Sequence, residues 1–207
     1  MDLQFYGANC LSATYKSTRL VIDDNLLDLG GKSIVKPDDI ALFTGPHSGT
    51  STARLVLDGP GEYEVADISI IGIAAQAHID EAGQQRATMF KLVAGEMSIL
   101  FTGHIYPELS ETQLEAIGMI DVLVVPVGGN GYTVDPVGAL KLIKAIEPKL
   151  VIPTHYTDKT LKYPVPQQSL ADALKELGME PKETVTKLRL KSSELSDVTQ
   201  LLILEKG

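Results

Sequence analysis

Four histidines carry most of the chemistry this sequence offers: His47, His78, His104 and His155. Neutral imidazole suits zinc, iron, nickel and copper. Each histidine closes a short apolar run that reads as a strand. His47 follows "IALFT", His78 follows "ISIIGIAAQA", His104 follows "SILFTG" and His155 follows "LVIPT". Strand ends in layered α/β folds share a rim where sites gather, so four imidazoles from four strands could meet there. The plainer alternative stays open. A histidine at a strand end is often only a polar loop residue, and strand ends are frequent in a strand-rich chain. The most pointed stretch is Thr44-Gly45-Pro46-His47-Ser48-Gly49-Thr50, one histidine among small residues after a buried run.

Other residues could act beside them. Asp23 or Asp24, ending "RLVID", could orient a ligand imidazole, or be a turn aspartate. Tyr156, next to His155, could donate a hydrogen bond to a developing oxyanion, or simply pack. "VGGNGY" at 127–132 opens toward a helix start and could bind an anion through backbone N–H groups, although Asp135 at the cap opposes one. Cys10 lies in an early strand without basic neighbours, which favours a buried thiol over a nucleophile.

The elements that must position these residues follow from periodicity. Strands are expected at 3–7, 10–16 and 19–23, then at 39–44, within 52–65 around a Pro-Gly turn, and at 68–78. A hairpin over 86–104 turns at Ala94-Gly95-Glu96. Helices are expected at 110–119, opened by a Ser110 and Gln113 capping box, at 135–146 behind Asp135-Pro136, and at 168–178 with Gly178 as its stop. Strands at 121–127, 149–155, 184–191 and 200–206 complete the chain. Strands first, then strands alternating with helices, suit two sheets sandwiched between helices. No linker interrupts residues 1–207, which predicts one domain.

Bulk properties narrow the function. The 207 residues carry a formal net charge of -9. The basic cluster "KLRLK" alternates with leucine and reads as one strand with a solvated face. Nucleic acid is therefore disfavoured as a partner, because phosphate-backbone binding needs clustered positive charge. A single cysteine allows no internal disulfide and fits a reducing compartment. No leader-like segment opens the sequence and no apolar run approaches the roughly 20 residues that span a bilayer. A cytoplasmic protein without membrane association is expected.

The order of motifs resembles the metallo-β-lactamase-fold hydrolases, and within them the compact branch that includes the ascorbate-phosphate lactonase. The resemblance covers nearly the whole chain. It rests on "FYGANCLSAT", "RLVIDD", "DIALFTGPH", "DGPGEYEV", the histidine of "AAQAH", "ILFTGH", "DVLVVPVGGNGYTVDP" and "PKLVIPTHY". It implies a four-layer αββα sandwich with a metal site on one edge. It also implies a metal-activated water acting on a lactone, amide or phosphoester in a small-molecule substrate. Homo-oligomers are common in that branch.

The chain departs from the family where metal is held. The family's Thr-His-x-His-x-Asp-His loop reads here with Gly45, His47, Gly49 and Thr50 at the ligand positions, so one ligand of four remains. His78 and His155 match later histidine ligands. The family's bridging aspartate is replaced by His104, after Gly103. A two-metal site cannot be intact. Drift from aspartate more often leaves Asn, Glu, Gly or Ser than a new donor, so His104 points to a rebuilt one-metal site drawing on His47, His78, His104 and His155. The expected cofactor is one divalent transition metal, zinc first, with manganese, iron or nickel as alternatives, or none if the site has decayed. The competing expectation is an inactive scaffold serving as an interaction or regulatory module.

Overall fold

A computed structural model of the chain describes every residue except Ser48, Thr50 and Ala82. The chain opens with β1 (Asp2–Gly7), β2 (Cys10–Tyr15), β3 (Thr18–Ile22), β4 (Ile40–Leu42) and β5 (Leu55–Leu57). There follow β6 (Gly61–Val65), β7 (Ile68–Ala75), β8 (Ala87–Ala94) and β9 (Met97–Phe101). The second half alternates: α1 (Glu111–Ile117), β10 (Val122–Pro126), α2 (Pro136–Ile146), β11 (Leu150–Thr154) and α3 (Leu170–Leu177). It closes with β12 (Pro181–Val185), β13 (Leu188–Arg189) and β14 (Gln200–Leu204).

These strands form two sheets. One runs β13-β1-β2-β3-β4-β5 and the other β12-β14-β11-β10-β9-β8-β7-β6. The main core lies between them. Alternate residues of β1 and β2, such as Leu3, Phe5 and Leu11, meet Ile70, Phe90, Ile99 and Phe101 of the second sheet. The parallel strands β10 and β11 are buried along their whole length, which is why "VLVVP" and "LVIPT" read as unbroken apolar runs. A second core on the outer face of the larger sheet packs α1–α3 through Ile117, Leu142, Ile143, Ala173 and Leu177.

The mixed α/β sandwich matches the expectation, with one difference in its layers. The outer face of the six-stranded sheet, around Cys10 and Val21, is covered by Leu26, Leu29 and Leu161 from turns, not by any of α1–α3. Side chains organise that cover: Asp24 Oδ2 accepts from the Ile34 and Val35 amides at 2.7 and 3.0 Å and from the Ser33 hydroxyl at 2.7 Å. Carboxylate-to-amide bonds of this kind compete with helix formation. Cys10 is buried, as expected, and burial pushes its thiol well above its ordinary range.

The expected single strand at 184–191 is two. β12 pairs with β14 in one sheet and β13 with β1 in the other, so the chain changes sheets near Lys187. Leu188 and Leu190 turn into the core, while Lys187 and Arg189 stay exposed and pair with Asp2 at 3.5 and 3.2 Å. An alternating pattern specifies which side is buried, not which sheet buries it. Among the described residues, no helix is long and apolar enough to cross a membrane.

Candidate active site

The rim where β4, β7, β9 and β11 end carries the candidate residues. Its backbone is tightly tied. The His78 amide donates to the His104 carbonyl at 2.7 Å, and the His155 amide donates to the Ala8 carbonyl at 2.8 Å. Asp23 and His155 both hold left-handed backbone, φ 50° and 56°. Such conformations cost energy outside glycine and concentrate at functional positions. Gly103, φ 62°, lets the chain pass Thr44: a Cβ there would lie 2.0 Å from Thr44 Oγ1.

Three histidines come together. The His104 and His155 ring centroids are 4.6 Å apart, nearly perpendicular at 85°. His78 and His104 line one hollow of about 120 Å³; His104 and His155 line a second of the same size. Tyr132 borders both, its ring 5.4 Å from His104 and 5.8 Å from His155. The Nδ1 atoms of His78 and His104 are shielded from solvent and have no hydrogen-bond partner. An orphaned buried nitrogen is costly, on the order of 1–3 kcal/mol, unless something uses it.

His155 is held in one tautomer. Its Nδ1 lies 3.0 Å from Gln167 Oε1, and Gln167 Nε2 donates to the Val165 carbonyl at 2.9 Å. The Val165 bond orients the amide, so Oε1 must accept. Nδ1 therefore carries the proton, and Nε2 keeps its lone pair. Histidine ligands are commonly oriented in this way. Gly128 makes room for the bond: a Cβ there would fall 2.1 Å from both Gln167 Oε1 and the His155 carbonyl. Gln167 escaped the sequence analysis because it sits in an irregular loop, "PVPQQS", with no periodic signal.

Burial keeps His104 and His155 neutral. Burial lowers His155 to about 4, against the Gln167 bond. Burial, and then the neighbouring His155 and His78, hold His104 well below its ordinary value. Burial pushes the Asp23 carboxyl up to about 6, although Thr44 donates to it through both its amide (2.7 Å) and its hydroxyl (2.6 Å).

These shifts oppose one another in stability. Asp23, raised when folded, contributes stability below its unfolded pKa that is lost as pH rises through about 6. His155, depressed when folded, contributes stability above about 6.5 that is lost as pH falls through about 4. Each shift is worth about 3 kcal/mol at roughly 1.4 kcal/mol per unit, so the two nearly cancel. His104, shifted in the same direction as His155, decides the sign. Chelator-treated protein is expected to lose stability as pH falls from about 6.5 to about 4, measured by urea unfolding across that window. A gain on acidification would contradict this.

Other expected residues are placed elsewhere. His47 stacks on Phe43, centroids 3.9 Å apart at 17°, and its Nε2 lies 3.5 Å from Asp58 Oδ2. It lines a neighbouring hollow of about 300 Å³ with Asp24, Ser33 and Phe43, apart from the other three histidines. Tyr156 packs toward Phe5, centroids 5.9 Å apart, and lines a groove with Asp158 and Lys206; burial pushes its phenol up to about 12. The tyrosines beside the histidines are Tyr132 and Tyr163, the latter with its ring centroid 5.2 Å from that of His155. Asp23 is engaged by Thr44, and the side chain that orients an imidazole is Gln167. The 127–132 loop spends amides on itself: Gly129 N donates to Val134 O, and Tyr132 N and Thr133 N to Gly129 O. Thr50 and its neighbour Ser48 lie outside the described residues. Among those described, no three His, Cys, Asp or Glu side chains converge as a preformed metal cluster.

A two-sheet sandwich with helices packed on the larger sheet and histidines gathered at one rim of strand ends defines a metallo-β-lactamase-type fold. The family model described as a Beta-lactamase superfamily domain matches residues 2–155, and the chain belongs to that family. A metallo-β-lactamase-superfamily protein of Thermotoga maritima, assigned as a Zn-dependent hydrolase, has the same fold: TM-score 0.75 and 24% identity, covering 99% of this chain and 98% of that one. A UPF0173 metal-dependent hydrolase of Carboxydothermus hydrogenoformans is 37% identical over 67 residues, which is 32% of this chain and 29% of that protein. Another from Thermoplasma acidophilum is 46% identical over 46 residues, 21% of this chain and 20% of its own length. The matched stretches thus span less than a third of either relative.

Proposed function

We propose that the chain is a metal-dependent hydrolase that holds one divalent transition metal through His78, His104 and His155 and cleaves a lactone, amide or phosphoester in a small molecule. The observation that carries this is the pair of buried, unpartnered Nδ1 atoms on His78 and His104, beside an His155 whose Nε2 lone pair is kept free. The donors fit a metal in kind: three imidazoles, a ligand type that suits zinc before manganese, iron or nickel. They are not converged, so binding requires the rings to turn toward one another. The UPF0173 relatives, described as metal-dependent hydrolases, support the same reading.

When bound, the metal would acidify a water or polarise a carbonyl or phosphoryl oxygen. The chain's own groups do the rest. Gln167 holds the His155 ring and its tautomer. Asp23, with its pKa near 6 and lining both hollows, is placed to take up a proton near neutrality. Tyr132 and Tyr163 wall the site.

The scaffold alternative is favoured by one observation: His47, the surviving ligand of the old loop, is occupied by Phe43 and Asp58. Metal analysis of protein purified without chelator, followed by zinc titration, separates the two. One equivalent per chain is expected. No stoichiometric metal would sink the hydrolase and leave the scaffold. Gly45→Ala is expected to be silent and Gly45→His to tighten zinc binding by roughly tenfold or more, since a Cβ at Gly45 meets nothing within 4 Å and the residue lines the His78 and His104 hollow.

A further inference from the structure

We infer that Asn9 is a ligand-contacting residue of this site: its side-chain amide donates a hydrogen bond to an oxygen atom of the molecule bound between His104 and His155, and Thr154 holds the amide in place to do so. This deepens the hydrolase reading and rests on it only for where the ligand sits.

Asn9 stands in the turn between β1 and β2 and is 6% exposed. It lines the hollow shared by Asp23, His104, Tyr132 and His155. Its Oδ1 accepts from the Thr154 hydroxyl at 2.7 Å, while its Nδ2 is shielded from solvent and has no hydrogen-bond partner. Charge fixes which way the amide points. Turned over, it would set Oδ1 toward the Asp23 carboxylate, oxygen against oxygen. As it stands, burial raises the Asp23 carboxyl, and the Thr44 bonds and the Asn9 amide lower it. Asn9 Nδ2 thus faces Asp23 without completing a hydrogen bond to it.

Among the described residues, the other buried side-chain atoms without partners are Asp24 Oδ1, the Nδ1 atoms of His78 and His104, and Thr133 Oγ1. A carboxylate oxygen accepts, and an imidazole nitrogen or a hydroxyl can play either part. An amide nitrogen can only donate, so Asn9 alone of these demands an acceptor. Backbone donors nearby are already engaged: the His78 amide by the His104 carbonyl, the His155 amide by the Ala8 carbonyl, and the Thr44 amide by Asp23. The turn is also firmly placed. Ala8 grips His155 through its carbonyl and Asn9 grips Thr154 through its side chain, so neighbouring residues of the turn hold neighbouring residues at the end of β11. Ala8 takes left-handed backbone, φ 49°, to do this. A donor fixed in this way destabilises the fold while unpartnered and is preorganised for an oxygen that arrives.

Acetamide and acetate test this. Each presents an oxygen acceptor and suits a hollow of about 120 Å³. Acetate has its charge met by the metal, and acetamide reads the hydrogen bond without that attraction. Both are titrated into zinc-loaded and into chelator-treated protein. The Asn9 side-chain amide protons are followed by NMR and assigned by their loss in Asn9→Leu. A downfield shift that saturates with at least one probe is expected, with that probe bound roughly tenfold more weakly by Asn9→Leu and zinc affinity within about threefold of the parent. Asn9→Leu/Thr154→Val removes both members of the buried pair together and guards against a misfolded single variant. Amide protons unmoved by both probes, or equal binding by parent and variants, overturns the inference and leaves Nδ2 with a resting water only. The two readings fail separately. Zinc bound with an unmoved amide keeps the metal site and removes Asn9 from it. A shifted amide in protein that takes up no zinc keeps Asn9 and sinks the hydrolase.

Discussion

His104→Ala is expected to lower zinc affinity by about a hundredfold or more while leaving the fold as stable as the parent. Both halves follow from one atom. His104 Nδ1 is buried without a partner, so as a structural residue it contributes only an unpaid desolvation cost. Removing it should not weaken the fold, beyond a small loss of ring packing against His155 and Tyr132. As a metal ligand, the same nitrogen is one of three donors, and its loss leaves two imidazoles, too few to hold the cation tightly. Zinc titration and urea unfolding on the same preparations decide. Unchanged affinity would remove His104 from the metal centre. A stability loss of several kcal/mol with unchanged affinity would make it a packing residue. His104→Gln keeps a polar group of similar reach and guards against a misfolded alanine variant.

Gly128→Ala is expected to destabilise the chain by about 3 kcal/mol, the upper part of the range for overpacking a tight site. The added Cβ would sit 2.1 Å from the His155 carbonyl, which is backbone at the end of a buried strand and has little freedom to yield. It would also sit 2.1 Å from Gln167 Oε1, the acceptor that holds the His155 ring. Stability and zinc affinity should therefore fall together, unlike in His104→Ala. Gly45→Ala, where a Cβ meets open space, serves as the control and should stay within about 0.5 kcal/mol of the parent. Urea midpoints at constant m-value measure both; a silent Gly128→Ala would show that the cradle around His155 is loose.

Most of the fold was legible because it is written in local periodicity. Alternation in "LQFYG" marks a half-buried strand, unbroken runs in "VLVVP" and "LVIPT" mark the parallel centre, and Ser110, Asp135 and Ser169 cap their helices with side-chain bonds to Gln113, Gly138 and Asp172. The departures occur where distant segments compete. "KLRLK" satisfies a strand pattern in either sheet, and the pairing of β13 with β1, from the other end of the chain, divides it. The turn-built cover over Cys10 depends on Asp24 reaching amides about ten residues away, which no period records.

The site divides along the same line. The sequence by itself determined that the chain is a metallo-β-lactamase-type sandwich, that four histidines end strands, and that Gly45 and Gly49 remove two ligands of the old loop. These are properties of residue type and of order along the chain. Only the tertiary structure decided which imidazoles meet. A strand end is placed by its backbone, but a ring is aimed by whatever packs around it. Phe43 and Asp58 take His47 aside; Gln167, twelve residues from His155, orients that ring across the loop; and Tyr132 and Tyr163 flank the rings while Tyr156 packs toward Phe5. Those contacts depend on side-chain rotation and on the meeting of separate segments, and neither leaves a signal in spacing.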